Sequence, residues 1–146
     1  LVEKETNTMQ NMRDSVRAGL SYMPYANTVF ISAKNGSRLP TLFQEIVSAY
    51  EQAGKRVATG VLNDVLNDAT MRVQPPTDKG KRLKVYFATQ VSVRPPTFIL
   101  FCNNSELFHF SYLRYIENRF REVFGFGGTP VRLIVREKAD GDELKY

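Results

Sequence analysis

The stretch that decides the fold starts with RPPTFILFCN, residues 94–103, and continues after a polar break with FSYLRYIENRFREVFGFGGTPVRL, residues 110–133. Its first part predicts a strand buried on both faces, because Thr97–Cys102 is a short run of β-forming apolar residues. Two prolines stand directly before this run and exclude a helix there. The remainder predicts a helix and another strand, so this half of the chain is organised as strand, helix, strand.

The helix predicted within this stretch has Ser111 as its N-cap and Gly125 as its C-terminal stop. Its apolar residues recur at helical spacing and should share one face; they are Leu113, Ile116, Phe120, Val123 and Phe124. After Pro130 the sequence alternates, which predicts a strand with two different faces. One set is Val131, Leu133 and Val135, and the other is Arg132, Ile134 and Arg136.

The first 53 residues predict helix, strand, loop and helix, which is a fragment of an α/β fold. The helices are expected at residues 6–20, with Thr6 or Asn7 as cap, and at 39–53, with the strand at 27–31. Both helices carry an apolar stripe that should face inward. The stripes are Met9, Met12, Val16 and Leu20, then Leu42, Phe43, Ile46, Val47 and Tyr50.

A third helix, capped by Thr59, and a strand at residues 82–90 lead to the opening stretch. In the strand, Leu83, Val85 and Phe87 are expected on one face. The apolar stripe of the helix is Leu62, Val65, Leu66, Ala69 and Val73. The second half therefore predicts an α+β order of helix, strand, strand, helix, strand.

Positive charge is concentrated in this second half. The chain has a net charge of +5, and residues 55–138 hold 14 Lys/Arg against 7 Asp/Glu, a net +7. That excess favours a polyanion as partner, although a solvated basic surface accounts for it about as well. The sequence contains no apolar run long enough to span a bilayer, so we expect no membrane partner.

Basic side chains cluster around a predicted turn before the strand at 82–90. Lys79, Lys81, Arg82 and Lys84 stand close together beside Tyr86, a composition that suits RNA phosphates and stacking. The alternative is a charged hairpin tip that keeps a sheet edge soluble. Further candidates for RNA contact lie on the polar side of the fourth helix; they are Arg114, Arg119 and Arg121.

No catalytic or metal-binding constellation stands out. Cys102 lies in an apolar strand and is interpreted as a small buried hydrophobe. His109 is the one histidine, which favours a capping or packing role over catalysis. One His and one Cys do not make a typical zinc site.

Several motifs together carry a family resemblance. Ser32, Ala33 and Lys34, between a predicted strand and a helix, resemble the fifth guanine-recognition motif of small GTPases. Downstream segments resemble, in order, the C-terminal KH-like domain of the Der (EngA) GTPases, bacterial ribosome-assembly proteins with two tandem GTPase domains. Those segments are VLNDVL (61–66), PP (75–76), PPTF (95–98), FSYLRY (110–115) and GTPVR (128–132).

The resemblance implies a KH-like α-β-β-α-β domain at residues 55–138, a three-stranded sheet covered by helices. Residues 1–54 would be an α-β-α remnant of a P-loop GTPase domain, cut inside the second such domain, and 139–146 an acidic tail. In the family the Ala33 amide contacts guanine, flanked by Ser32 and Lys34. No Gly-x-x-x-x-Gly-Lys-Ser/Thr occurs in the chain, so we expect no bound nucleotide and no GTPase activity; GTP and Mg²⁺ belong to the parent protein.

The function implied is that of an RNA- and ribosome-binding regulatory module acting in large-subunit biogenesis in the cytoplasm. Its partners would be ribosomal RNA and the parent GTPase domains. The alternative is a domain that docks on those GTPase domains without contacting RNA. A strand at 27–31 without a neighbouring strand would leave residues 1–52 disordered or paired with a second copy.

One further motif has two interpretations. Gly125-Phe126-Gly127-Gly128 matches the Gly-x-x-Gly clamp of nucleic-acid-binding KH domains. A KH clamp joins two helices, whereas this run joins a helix to a strand, which favours a helix C-cap followed by a turn.

Overall fold

The computed structural model describes residues 7–138. Its α-helices are α1 (Thr8–Gly19), α2 (Leu39–Ala53), α3 (Thr59–Arg72) and α4 (Phe110–Phe124), with a 3₁₀ turn at Ser105–Leu107. The strands are β1 (Thr77–Asp78), β2 (Lys81–Arg82), β3 (Val85–Ser92), β4 (Thr97–Cys102) and β5 (Arg132–Glu137). The order α3, β3, β4, α4, β5 confirms the predicted α+β arrangement of the second half. The acidic tail at 139–146 and the cap at Thr6 lie outside the described residues.

The main sheet has three strands in the order β3, β4, β5. β4 is central; it pairs antiparallel with β3 and parallel with β5. A parallel pair needs a long crossover connection, and α4 supplies it. The central position also explains why β4 is buried along nearly its whole length, as its sequence predicts.

One face of this sheet is covered by α3 and α4. Phe98 of β4, Phe120 of α4 and Phe126 are fully buried, with the Phe98 ring centroid 5.3 Å from that of Phe120 and 5.9 Å from that of Phe126. The two helices are also joined to each other, since the Tyr112 hydroxyl donates a 2.8 Å hydrogen bond to the Val73 carbonyl. Burial raises the pKa of Tyr112 to about 12, so this donor keeps its proton at any physiological pH.

Two amide side chains, those of the partly buried Asn63 and the buried Gln90, connect the sheet to the segment before it. The Asn63 side chain of α3 accepts from the Ala88 backbone N–H (2.7 Å) and donates to the Ala88 carbonyl (3.0 Å). Gln90 accepts from the Val57 N–H (2.7 Å) and donates to the Lys55 carbonyl (2.9 Å). These bonds pair backbone groups of the edge strand β3 and of the segment before α3.

The face predicted for Phe87 is wrong. The pairing of β3 with β4 contains an irregularity between Val85 and Phe87, which is a β-bulge. The extra residue reverses the alternation, so Ala88 rather than Phe87 is buried against the helices. Phe87 lies on the opposite face of the sheet, stacked on Phe101.

The limits of α3 and α4 differ slightly from prediction. Ser111 and Thr59 lie inside their helices, which have His109 and Ala58 at their N-cap positions and no side-chain cap hydrogen bond. Val123 is 49% exposed, whereas Tyr112, left out of the predicted stripe, is buried. Gly125 ends α4 with φ +92°, as its sequence predicts.

The strand predicted at residues 27–31 is absent. Within the described residues this segment pairs with no other strand, and only an isolated bridge joins Ser32 to Ser37. A strand needs a neighbour for its backbone groups, and the described chain offers none here. The stripes of α1 and α2 do not face inward either, since most of their residues are exposed, with Phe43 at 62% and Tyr50 at 61%.

Candidate nucleic-acid interface

The predicted basic cluster forms a short hairpin. β1 and β2 pair antiparallel, with Asp78 opposite Lys81, and Lys79 and Gly80 form the turn at φ +46° and +78°. The four candidate side chains are brought together here and are all exposed; they are Lys79, Lys81, Arg82 and Lys84.

The hairpin is held firmly against the end of the sheet. The Asn103 side chain donates to the Arg82 carbonyl (3.0 Å) and accepts from the Lys84 N–H (2.9 Å). Leu83, between them, is 1% exposed and belongs to the core. The positive charges therefore have a defined position beside the end of β4.

Arg114 and Arg119, two of the three candidates predicted on the fourth helix for the same interface, have different environments. Arg114 is exposed, and its guanidinium lies 5.4 Å from the ring centroid of Phe110. The Arg119 side chain is 19% exposed and pairs with Asp68 of α3 at 3.0 Å and with Glu122. Two carboxylates thus balance the Arg119 charge, and the residue connects α4 to α3 rather than pointing to a free surface.

Arg121 also serves the fold. Its guanidinium donates to the carbonyls of Phe126 and Thr129, each at 3.0 Å, and lies 4.8 Å from the Tyr25 ring centroid. Glu117 accepts a further hydrogen bond from it at 3.1 Å. Arg121 therefore stabilises the turn between α4 and β5.

The Gly125–Gly128 run is that turn, and it packs on the N-terminal part of the chain. The Phe126 N–H donates to the Gln52 side-chain oxygen and the Gly128 N–H to the Tyr25 carbonyl, both at 3.0 Å. Gly128 has φ +75°, and a Cβ there would lie 3.0 Å from the Ala49 side chain. The run is therefore a helix end that contacts the N-terminal part of the chain, without the two-helix geometry of a KH clamp.

The predicted guanine-contact segment lies in the turn before α2. The Ser32 N–H donates to the Ser37 carbonyl (3.1 Å), the Asn35 side chain accepts from the Ser37 N–H (3.1 Å), and Ala33 and Lys34 are exposed. These residues could contact only the base of a nucleotide, and not its phosphates. A nucleotide is held largely through its phosphates, and the chain has no phosphate-loop sequence to bind them, so the residues present do not fit GTP.

Sequence reasoning missed a set of residues on the uncovered face of the sheet. Phe87 and Phe101 are stacked there, with ring centroids 4.5 Å apart and an interplanar angle of 19°. β5 adds Arg132, Ile134 and Arg136, all exposed. Their alternation was visible in the sequence, but the bulge that brings Phe87 to this face was not.

Cys102 is fully buried, as predicted, and burial raises the pKa of its thiol. His109 is at the N-cap position of α4. Among residues 7–138, no three His, Cys, Asp or Glu side chains are grouped to hold a metal ion. In the same range, no helix has both the length and the apolar content to cross a bilayer.

With this geometry established, comparison with known proteins identifies the family. A family model described as the KH-domain-like C-terminal region of EngA bacterial GTPase enzymes matches residues 56–136. The chain belongs to this family. The match confirms the resemblance to Der (EngA) proteins and agrees with the α3, β3, β4, α4, β5 order.

Curated relatives extend the similarity beyond the KH-like region. GTPase Der of Acetivibrio thermocellus is 54% identical over 138 residues, 94% of this chain and 31% of that protein. GTPase Der of Alkaliphilus oremlandii is 51% identical over 142 residues, 97% of this chain and 32% of that protein. GTPase Der of Staphylococcus saprophyticus is 52% identical over 137 residues, 94% of this chain and 31% of that protein. The chain therefore spans about a third of the length of the relatives it matches.

Proposed function

We propose that residues 55–138 form an RNA-binding and regulatory module of a GTP-binding protein that acts in large ribosomal subunit assembly. The observation that carries the proposal is the basic hairpin, with four exposed cations held beside the end of the sheet. A cluster of this kind binds phosphates through counterion release, which requires exposure and positive charge more than a shaped pocket. The net charge of +7 over this range supports the same partner.

The remaining parts of the proposal concern the rest of the chain. Residues 1–54 are proposed to be the end of the second GTPase domain, and residues 139–146 an acidic tail. The proposed partners are ribosomal RNA and the GTPase domains of the same protein, in the cytoplasm. GTP and Mg²⁺ would be bound by those other domains.

A second candidate function is supported by the uncovered sheet face. Ile134 is 41% exposed there, opposite Ile99 and on the same face as the Phe87–Phe101 pair, and exposed apolar surface of this kind often marks a protein contact. In this alternative the domain docks on a GTPase domain through the sheet and does not touch RNA.

The test is binding to a transcribed fragment of large-subunit ribosomal RNA over a range of salt concentrations. Reversing the charges of Lys79, Lys81, Arg82 and Lys84 should weaken binding. It should also reduce the slope of log affinity against log salt by about 0.7–0.9 for each phosphate that the protein no longer neutralises. Tight, salt-dependent binding that the reversal leaves unchanged would refute the role of the hairpin, and no binding by the unmodified chain would favour the docking function.

A matched pair of double variants separates a local effect from a change in net charge. Lys79→Glu with Lys81→Glu alters the hairpin, whereas Arg17→Glu with Lys34→Glu makes the same charge change on two exposed residues of the N-terminal part. The first pair should reduce affinity and the second should reduce it much less. Equal reductions would mean that net charge, and not the hairpin, drives binding.

The exposed stripes of α1 and α2 support a further partner for residues 7–53. We propose that a second copy of the chain covers them. Ile46 is 54% exposed in the α2 stripe, so Ile46→Glu should abolish self-association without unfolding the KH-like half. Light scattering over a dilution series checks this, and a monomer at every concentration would exclude the second copy.

A further inference from the structure

The face of the sheet that α3 and α4 leave uncovered combines aromatic rings with cations. Phe87 and Phe101 stack nearly parallel near the end of the face where β4 ends, and both are partly exposed. In the β4–β5 register Arg136 is opposite Phe101 and Arg132 is opposite Thr97, so both arginines share this face. The ammonium group of Lys138 lies 5.6 Å from the Phe87 ring centroid.

Among residues 7–138, the charged strand residues on this face are all positive. In the part of the chain that the structure describes, the strand residues of this face include no carboxylate; they are Phe87, Thr89, Ser92, Thr97, Ile99, Phe101, Arg132, Ile134 and Arg136. Glu137 takes the other side of β5, where its carboxylate accepts from the N–H and hydroxyl of Ser105 at 2.7 and 2.8 Å. The arginines are therefore available to an external anion.

The face is also continuous with the basic hairpin. Lys138 donates from its backbone N–H to the Cys102 carbonyl (2.8 Å), and Asn103 donates likewise to the Lys84 carbonyl (3.1 Å). Both lysines thus lie at the same end of the sheet, around the end of β4. The cations run from the hairpin, past Lys138 and the aromatic pair, along β5 to Arg132.

We propose that this face is a platform for single-stranded RNA, on which a base extends the Phe87–Phe101 stack while Arg132, Arg136 and Lys138 contact phosphates. The inference rests on the RNA-binding function proposed above and names the form of RNA and its surface. Aromatic rings beside a row of cationic side chains suit single-stranded RNA. Each unpaired base can stack on a ring, and the RNA phosphates can bind the cations. In a duplex the bases are already stacked on each other, and the rings have nothing to bind.

The experiment uses a short single-stranded RNA with one 2-aminopurine, whose fluorescence is quenched on stacking, and the matching RNA duplex. Phe101→Leu keeps the apolar bulk and removes the aromatic face. It should lower affinity for the single strand about tenfold, abolish the quenching and leave duplex binding unchanged. Phe110→Leu is the matched control, because Phe110 is 73% exposed at the start of α4, outside the sheet, and should have no effect.

The outcomes separate this inference from the proposed function. If the unmodified chain binds neither RNA, the function fails and the platform with it. If the chain binds RNA through the hairpin, but Phe101→Leu behaves like Phe110→Leu, only the platform is refuted. The same holds if Phe101→Leu spares RNA binding and instead weakens binding of an isolated Der GTPase domain.

A second variant keeps the test valid if Phe101→Leu fails to fold. Arg132→Gln with Arg136→Gln changes two exposed side chains of β5 and should leave the melting temperature within a few degrees of the unmodified chain. It should weaken single-strand binding several-fold and lower its salt dependence. Unchanged affinity and salt slope would overturn the proposal independently of the phenylalanine result.

Discussion

Replacing Phe120 by Ala tests the core on which the KH-like half depends. Phe120 is fully buried on the inner face of α4, with its ring centroid 5.3 Å from that of Phe98 and 6.0 Å from that of Phe124. Removing roughly 100 Å² of ring area from the core forfeits about 2.5 kcal/mol at about 25 cal/mol per Å². The residual cavity and the missing ring–ring packing bring the expected loss to roughly 3–5 kcal/mol of unfolding free energy.

Urea denaturation followed by far-UV circular dichroism measures this loss, with hydrogen exchange of the β4 amides as a second probe. Val123→Ala is the control, because Val123 is on the same helix but 49% exposed, and its effect should stay within about 0.5 kcal/mol. A Phe120→Ala loss below about 1 kcal/mol, or one equal to that of Val123→Ala, would refute the assignment of the helix face.

Three further predictions concern other parts of the chain. Isothermal titration calorimetry should detect no binding of GTP or GDP to the isolated chain, because its sequence has no phosphate loop; micromolar affinity would contradict this. Gly128→Ala should lower the unfolding free energy by about 1–2 kcal/mol in denaturant melts, because φ is +75° and the Ala49 side chain lies 3.0 Å from the new Cβ. The control is Gly127→Ala, which has open space at its Cβ and should lower it by less than half as much. Equal losses would refute the conclusion that the backbone at residue 128 requires glycine. The backbone N–H and then the hydroxyl of Ser105 lower the pKa of Glu137, so its stabilisation is present above the unfolded-state pKa of about 4.3 and is lost as pH falls through the lower folded-state pKa. Stability measured between pH 3 and 6 should therefore fall less steeply with acid for Glu137→Gln than for the unmodified chain, and parallel curves would exclude the effect.

The elements of the KH-like half follow from local sequence. The β-formers of Thr97–Cys102 and the apolar spacing that includes Ile116 and Phe120 predict a strand and a helix, and both form with those residues buried. Gly125 likewise ends α4, because a residue at φ +92° is easiest to supply as glycine. The basic hairpin was also predictable, since Lys79–Gly80 is a turn signal between polar residues. Such features depend on neighbours within a few positions, and these neighbours are visible in the sequence pattern.

Strand pairing, the buried face of a strand and the pairing of charges were decided by the tertiary structure, because they depend on residues distant in sequence. Residues 27–31 have strand-forming side chains but no neighbouring strand in the described chain, so the pattern alone predicted a strand that is absent. The bulge in β3 turns Phe87 away from the core onto Phe101, a choice made by the pairing with β4. Arg119 has the pattern of an exposed cation, yet Asp68, 51 positions away, neutralises it. Periodicity shows which residues share a face of a helix or strand. Only the packing of the whole chain determines which of these faces is buried and which charged side chains are paired.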